Sequence, residues 1–118
     1  MSTLIIFNRQ PYDGNDIAWN ALRLAKTLKD KGEDVKIFLM NDSVDLARDT
    51  TEKPEFYEFD LVKILKELYN NGIELKVCGT CQARCGLNKN QPYFNDKIKG
   101  TMDDLASWTI ECNKVLTF

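Results

Sequence analysis

Four short apolar runs, Leu4–Phe7, Val35–Met40, Ile73–Val77 and Val115–Phe118, are separated by stretches whose apolar residues recur every three or four positions. Each run has the length of a strand, and each intervening stretch has the spacing of an amphipathic helix. Strands that alternate with helices pair in parallel through crossover connections. The order reads as strand, helix, strand, short helix, helix, strand, cysteine turn, short extended piece near Ile98, helix, strand. It predicts a three-layer α/β fold with a mainly parallel sheet of about five strands, flavodoxin- or Rossmann-like in topology. The 118 residues suit one domain, 1–118, with no internal repeat.

Boundary signals agree with that division. Ile17, Ala18, Ala21, Leu22, Ala25 and Leu28 line one face of a first helix, with Asn15 or Asp16 as its N-cap and Lys31-Gly32 as its stop. Asn41-Asp42-Ser43 opens a short helical piece around Val44 to Arg48. Asp60 caps a helix carrying Leu61, Ile64, Leu65, Leu68 and Tyr69, which Asn70-Asn71-Gly72 ends. Thr101, followed by Asp103 and Asp104, opens the last helix, with Met102, Leu105, Ala106, Thr109 and Cys112 expected on its inner side. Residues 49–59 show no periodicity, and their aromatics Phe56, Tyr57 and Phe59 read as a lid, an oligomer contact or a satellite of the core. Trp19 falls off the apolar face of its helix and reads as a flank residue or a contact between subunits.

Chemistry concentrates in Cys78-Gly79-Thr80-Cys81-Gln82-Ala83-Arg84-Cys85, three of the chain's four cysteines, at the carboxyl end of the third main strand. Ligand sites of open α/β sheets lie at that edge. A helix beginning near Gly79 would place Cys78, Cys81 and Cys85 on one face at i, i+3 and i+7. Its N-terminal amides and dipole would favour a thiolate at Cys78, and Arg84 would add positive charge. A thiolate is the form of cysteine that attacks sulfur or binds metal. The chain has no histidine, which removes His-based triads and mixed Cys/His zinc sites.

Three other readings compete for these thiols. Cys78, Cys81 and Cys85 could ligate a metal, with Cys112 as a fourth thiolate, although zinc ribbons bring two C-x-x-C knuckles. Cys78 and Cys81 form a C-x-x-C dithiol, but the motif comes two-thirds along the chain, later than in a thioredoxin. Free cysteine is also a common core residue, the reading that fits Cys112 in the apolar stripe of its helix. No resident cofactor is expected: the loop around Gly14 lacks the glycine and lysine patterns of nucleotide sites. A net charge of −2 with no basic cluster argues against nucleic acid, and no apolar run approaches a membrane span. A cytoplasmic location is expected, because the apolar run at the N-terminus has neither the length nor the basic leader of a signal peptide.

The chain resembles the DsrE/DsrF/TusD-like superfamily, which includes sulfur-relay subunits and the YchN-like proteins. The resemblance rests on Ala21-Leu22-Arg23-Leu24-Ala25, on Val35-Lys36-Ile37-Phe38-Leu39 with Asp42 and Val44, and on Gly72-Ile73 leading to Cys78-Gly79-Thr80-Cys81 and Arg84-x-Gly86. Gly100-Thr101-Met102-Asp103-Asp104-Leu105 and Val115-Leu116-Thr117-Phe118 extend it over nearly the whole chain. It implies a three-layer subunit that assembles into a homo-oligomer, trimer or hexamer, and a sulfurtransferase-like relay between a sulfur-donor and a sulfur-acceptor protein. Cys78 matches the cysteine that carries sulfane sulfur as a persulfide. Cys81 is placed to resolve it, and Cys85 stands where many relatives have no thiol.

Overall fold

The computed structural model describes residues 1–118 and contains one five-stranded sheet, all parallel, in the order β4-β3-β2-β1-β5. The strands are β1 (Ser2–Phe7), β2 (Asp34–Leu39), β3 (Glu74–Cys78), β4 (Lys99–Gly100) and β5 (Lys114–Thr117). The helices are α1 (Ile17–Asp30), α2 (Leu61–Asn70), the single turn α3 (Cys81–Arg84) and α4 (Met102–Glu111), with 3₁₀ segments at Asn41–Ala47 and Asp96–Ile98. The three-layer α/β expectation holds, and each main element lies within a residue or two of where its periodicity put it.

Strand order explains the layering. From β1 to β4 the chain steps repeatedly toward the same edge, and right-handed crossovers therefore put α1 and α2 on one face. It then returns past the whole sheet to lay β5 beside β1, which carries α4 across the other face. Residues alternate accordingly. Ile5, Phe7, Ile37, Leu39, Leu75 and Val77 point into a core of 21 buried side chains, in which Ala18, Ala21 and Ala25 let α1 lie close to the sheet. Leu4 and Phe38 point the other way and meet Trp108 and Cys112 in a cluster of only four.

The thin side corrects one expectation. Met102, placed on the inner side of α4 by spacing, is 64% exposed, and Ala106 and Thr109 are exposed as well. Trp108 takes their place, set edge-on to Phe38 with Lys36 and Lys76 Nζ 5.6 and 5.3 Å from its ring. Leu105 and Cys112 do pack there as expected, while one indole with two lysine side chains over it fills the space expected for Met102, Ala106 and Thr109. Ile110, Val115 and Leu116 are exposed on the same helix and the neighbouring edge strand.

Caps follow the sequence signals. Asp60 Oδ1 accepts from Lys63 N–H, and Thr101 forms a reciprocal capping box with Asp104 at 3.1 and 2.9 Å. At α1 Asp16 stands in the N-cap position without capping, and Asn15 Oδ1 takes the Ile17 N–H instead. No helix is long and apolar enough to cross a membrane.

Candidate functional site

Cys78 is the last residue of β3, half-buried at the carboxyl edge of the sheet, and its side chain touches both the large and the small core cluster. The edge is the expected one. The position within it differs from the usual nucleotide site, because the switch point of this strand order falls between β1 and β5, two strands away.

The three thiols converge by a route other than a shared helical face. Helix α3 ends after four residues, and Cys85 leaves it in an extended conformation (φ −127°, ψ 158°). Cys81, 7% exposed, is the hub: the Cys78 and Cys85 thiols and the Asn41 backbone N–H all lie near enough to its sulfur to influence its proton affinity. Burial, reinforced by the two neighbouring sulfurs, pushes the Cys81 thiol up to about 12. Cys81 is therefore a thiol at neutral pH.

The helix-dipole argument for Cys78 does not carry over. A single turn has little aligned dipole, Gly79 N–H is taken by Gly100 O at 3.0 Å, and Gln82 N–H by Gly79 O at 3.2 Å. Arg84 is exposed and makes neither a hydrogen bond nor an ion pair to any thiol. No three cysteine or acidic side chains are grouped so as to hold a metal ion, and all four cysteines are free.

The loop is held by residues of the 3₁₀ segment Asn41–Ala47 and by Arg48 at its end, which periodicity alone reads as an ordinary short helix. Arg48 is fully buried. Its guanidinium pairs with Asp45 Oδ1 at 2.8 Å and donates to the carbonyls of Gln82 (2.5 Å), Cys85 (3.0 Å) and Gln91 (3.1 Å). Asp45 in turn accepts from Leu87 N–H at 2.7 Å, and Asp42 accepts from Gly86 N–H at 2.8 Å. A buried charge is tolerated only when paired and hydrogen-bonded, and here every buried polar side-chain atom has a partner.

Gly86 fits against this pair because it has no side chain. Its φ is +85°, and a Cβ there would lie 2.7 Å from Asp45 Cγ and 2.8 Å from Arg48 Nη1. The far side of the loop rests on Tyr93, 4% exposed, whose hydroxyl donates to the Cys78 carbonyl at 2.7 Å and whose ring lies 5.3 Å from the Arg48 guanidinium. Burial raises the Tyr93 hydroxyl well above its ordinary range, so it remains a donor at physiological pH. Arg48 and Asp45 left one faint trace in the sequence. They are the only charges in Val44-Asp45-Leu46-Ala47-Arg48, a segment otherwise wholly apolar.

An open cleft of 440 Å³ lies behind the loop, bordered by Tyr12, Asp45, Thr51, Glu52, Leu87 and Asn88, with no cysteine on its wall.

Fold and site together define a small parallel α/β protein that carries a packed thiol cluster on an anchored loop at its sheet edge. The chain belongs to the DsrE/DsrF-like family, whose model matches residues 1–118. It is 32% identical over 117 residues to YchN of Escherichia coli K12, covering 98% of this chain and 97% of that protein. An uncharacterised protein of Methanocaldococcus jannaschii is 33% identical over 121 residues, with both chains covered in full. An uncharacterised protein of Methanopyrus kandleri is 32% identical over 114 residues, 97% of this chain and 91% of the other. The crystal structure of the Escherichia coli ychN protein superposes with a TM-score of 0.82 at 32% identity, over 100% of this chain and 99% of that one.

Proposed function

We propose that this protein is a sulfur carrier with sulfurtransferase-like chemistry, taking up sulfane sulfur as a persulfide on Cys78. The observation that carries the proposal is the difference between two adjacent thiols: Cys78 is half-buried at the sheet edge, while Cys81 is buried against it and protonated. The Cys78 thiolate attacks the outer sulfur of a donor persulfide, an S–S bond forms on Cys78, the donor S–S bond breaks, and the donor leaves as a thiolate. The transfer is redox-neutral. An acceptor thiolate then takes the outer sulfur in the same way.

Cys81 supplies a second outcome. Attack of its sulfur on Cys78 Sγ expels the outer sulfur as hydrosulfide and leaves a Cys78–Cys81 disulfide, which a dithiol reductant reopens. The high proton affinity of Cys81 keeps this branch slow at neutral pH, so a persulfide persists long enough to be handed on. Cys85, on the other side of Cys81, is a secondary acceptor. Arg84, exposed and free of partners, is available to meet the negative charge of an incoming donor.

This chemistry suits a reducing cytoplasm, with donor and acceptor proteins as its partners. The exposed apolar residues Met102, Ile110 and Val115 on the thin face support assembly of several copies, a trimer or hexamer, through that side.

Intact-mass spectrometry after incubation with a sulfane-sulfur donor tests the reading. A gain of one sulfur atom is expected in the wild type and in Cys112→Ser, and none in Cys78→Ser. Equal labelling of Cys78→Ser and Cys112→Ser removes Cys78 from the role.

A further inference from the structure

Away from the thiols, the amino end of α1 and residues 56–59 enclose a cavity of 310 Å³ lined by Asp16, Trp19, Phe56, Tyr57, Glu58 and Phe59. Four of the six are aromatic and the other two are carboxylates. No lysine or arginine lines it. Lys53 Nζ, from the same connection, is held by the carbonyls of Tyr57 at 2.6 Å and Pro54 at 3.2 Å.

The rings are ordered among themselves. Phe59 stacks on Trp19 with centroids 4.4 Å apart and planes 12° from parallel, and Tyr57 meets Phe59 edge-on at 6.2 Å. On its other side Trp19 carries the Arg23 guanidinium 4.5 Å from its ring, so this cluster already accommodates one organic cation from its own chain. Phe56 at the cavity lip is 83% exposed.

Charge points the same way. Asp16 does not cap α1 and instead accepts from the Tyr57 hydroxyl at 2.8 Å through Oδ1, and no hydrogen bond engages its Oδ2. Burial, and then the hydrogen bond to the Asp16 carboxylate, push the Tyr57 hydroxyl up to about 12, so it stays a donor to Asp16. Ring faces attract cations through their quadrupole, and two carboxylates add full charges of the same sign. A small hydrated inorganic cation would gain little from the rings, whereas a guanidinium or alkylammonium group gains from both.

We propose that this cavity binds an organic cation, a guanidinium or alkylammonium group presented by a free amine or by an exposed arginine or lysine of another protein. The inference does not depend on the thiol chemistry. Tetramethylammonium chloride is the first probe, followed through the two tryptophan indole N–H signals in two-dimensional NMR. The Trp19 signal shifts saturably at millimolar probe, the Trp108 signal stays in place, and sodium chloride at matched ionic strength and the neutral analogue tert-butanol produce no such shift.

Phe56→Ala and Glu58→Gln each weaken binding about two- to fivefold. Both residues are exposed, and an unchanged thermal unfolding curve confirms that the fold is intact. Agmatine and a capped Gly-Arg-Gly peptide then separate the sources: tighter peptide binding assigns the cation to a protein side chain, and equal or tighter agmatine binding assigns it to a small amine. Saturable binding of tert-butanol with equal affinity, an unmoved Trp19 signal, or wild-type affinity in both variants overturns the proposal.

Discussion

Replacing Gly86 by alanine separates two costs that glycine usually conceals together. Gly86 and Gly14 both have positive φ, +85° and +94°, so a Cβ meets backbone strain at either position, about 1–2 kcal/mol. The gain from a stiffer unfolded chain is also common to both. They differ in space. Nothing lies within 4 Å of a Cβ at Gly14, whereas at Gly86 it runs into the Asp45 carboxylate and the Arg48 guanidinium.

That pair cannot step aside cheaply, because Arg48 is tied to three carbonyls and Asp45 to the amide of Leu87. Overpacking of this kind adds about 1–3 kcal/mol. Gly86→Ala should therefore be less stable than Gly14→Ala by about 1–3 kcal/mol, a large share of a stability near 5–15 kcal/mol. Urea unfolding under reducing conditions measures the two variants. Native-state alkylation of Cys81 by iodoacetamide should accelerate in Gly86→Ala alone. Equal destabilisation within about 0.5 kcal/mol, with Cys81 equally protected, would refute the view that the ion pair shapes the loop.

Arg48→Met removes one partner of the buried pair and leaves Asp45 uncompensated, so unfolding free energy should fall by about 3–5 kcal/mol in a denaturant titration. For Cys81 the sign is set by a folded-state proton affinity raised above that of the unfolded chain: stability is fully present below about pH 9 and declines as pH rises toward about 12. Cys81→Ala should flatten that alkaline limb in pH-dependent unfolding. Tyr93→Phe deletes the hydroxyl that donates to the Cys78 carbonyl, with a loss of about 1 kcal/mol and faster Cys78 alkylation. Thr101→Ala removes the α4 capping box for about 1 kcal/mol, measured by thermal unfolding, and leaves thiol reactivity unchanged.

Local signals carried the architecture well. The alanines of α1, the stop at Asn71-Gly72 and the cap at Thr101 are each decided within a few residues, and the strand–helix alternation then leaves little freedom of topology. The cysteine cluster was legible as a cluster and as a sheet-edge feature. Its geometry was not, because helical spacing assumes a helix long enough to align i with i+7, and α3 stops after one turn.

What stops it there is tertiary. The carbonyls of Gln82 and Cys85 go to Arg48, and the amides of Gly86 and Leu87 go to Asp42 and Asp45. An Arg three residues after an Asp ordinarily reads as a solvated helical pair. Only the packed fold reveals that both are sealed beneath the thiols. On α4 the stripe holds at Leu105 and Cys112 and fails at Met102, Ala106 and Thr109 for a related reason: spacing identifies a stripe, while Trp108 and the lysines of β2 and β3 decide how much sheet remains for that stripe to cover.

Arg48, Asp45 and Asp42 grip the loop solely by its peptide groups, and none of their bonds reaches a side chain between Gln82 and Leu87. Such a mount is indifferent to what it displays. Provided Gly86 is retained, the positions now occupied by Ala83, Arg84 and Leu87 are open to substitution without loosening the clamp. Lineages built on this frame can therefore retune which molecules meet the sulfur while inheriting the same foundation.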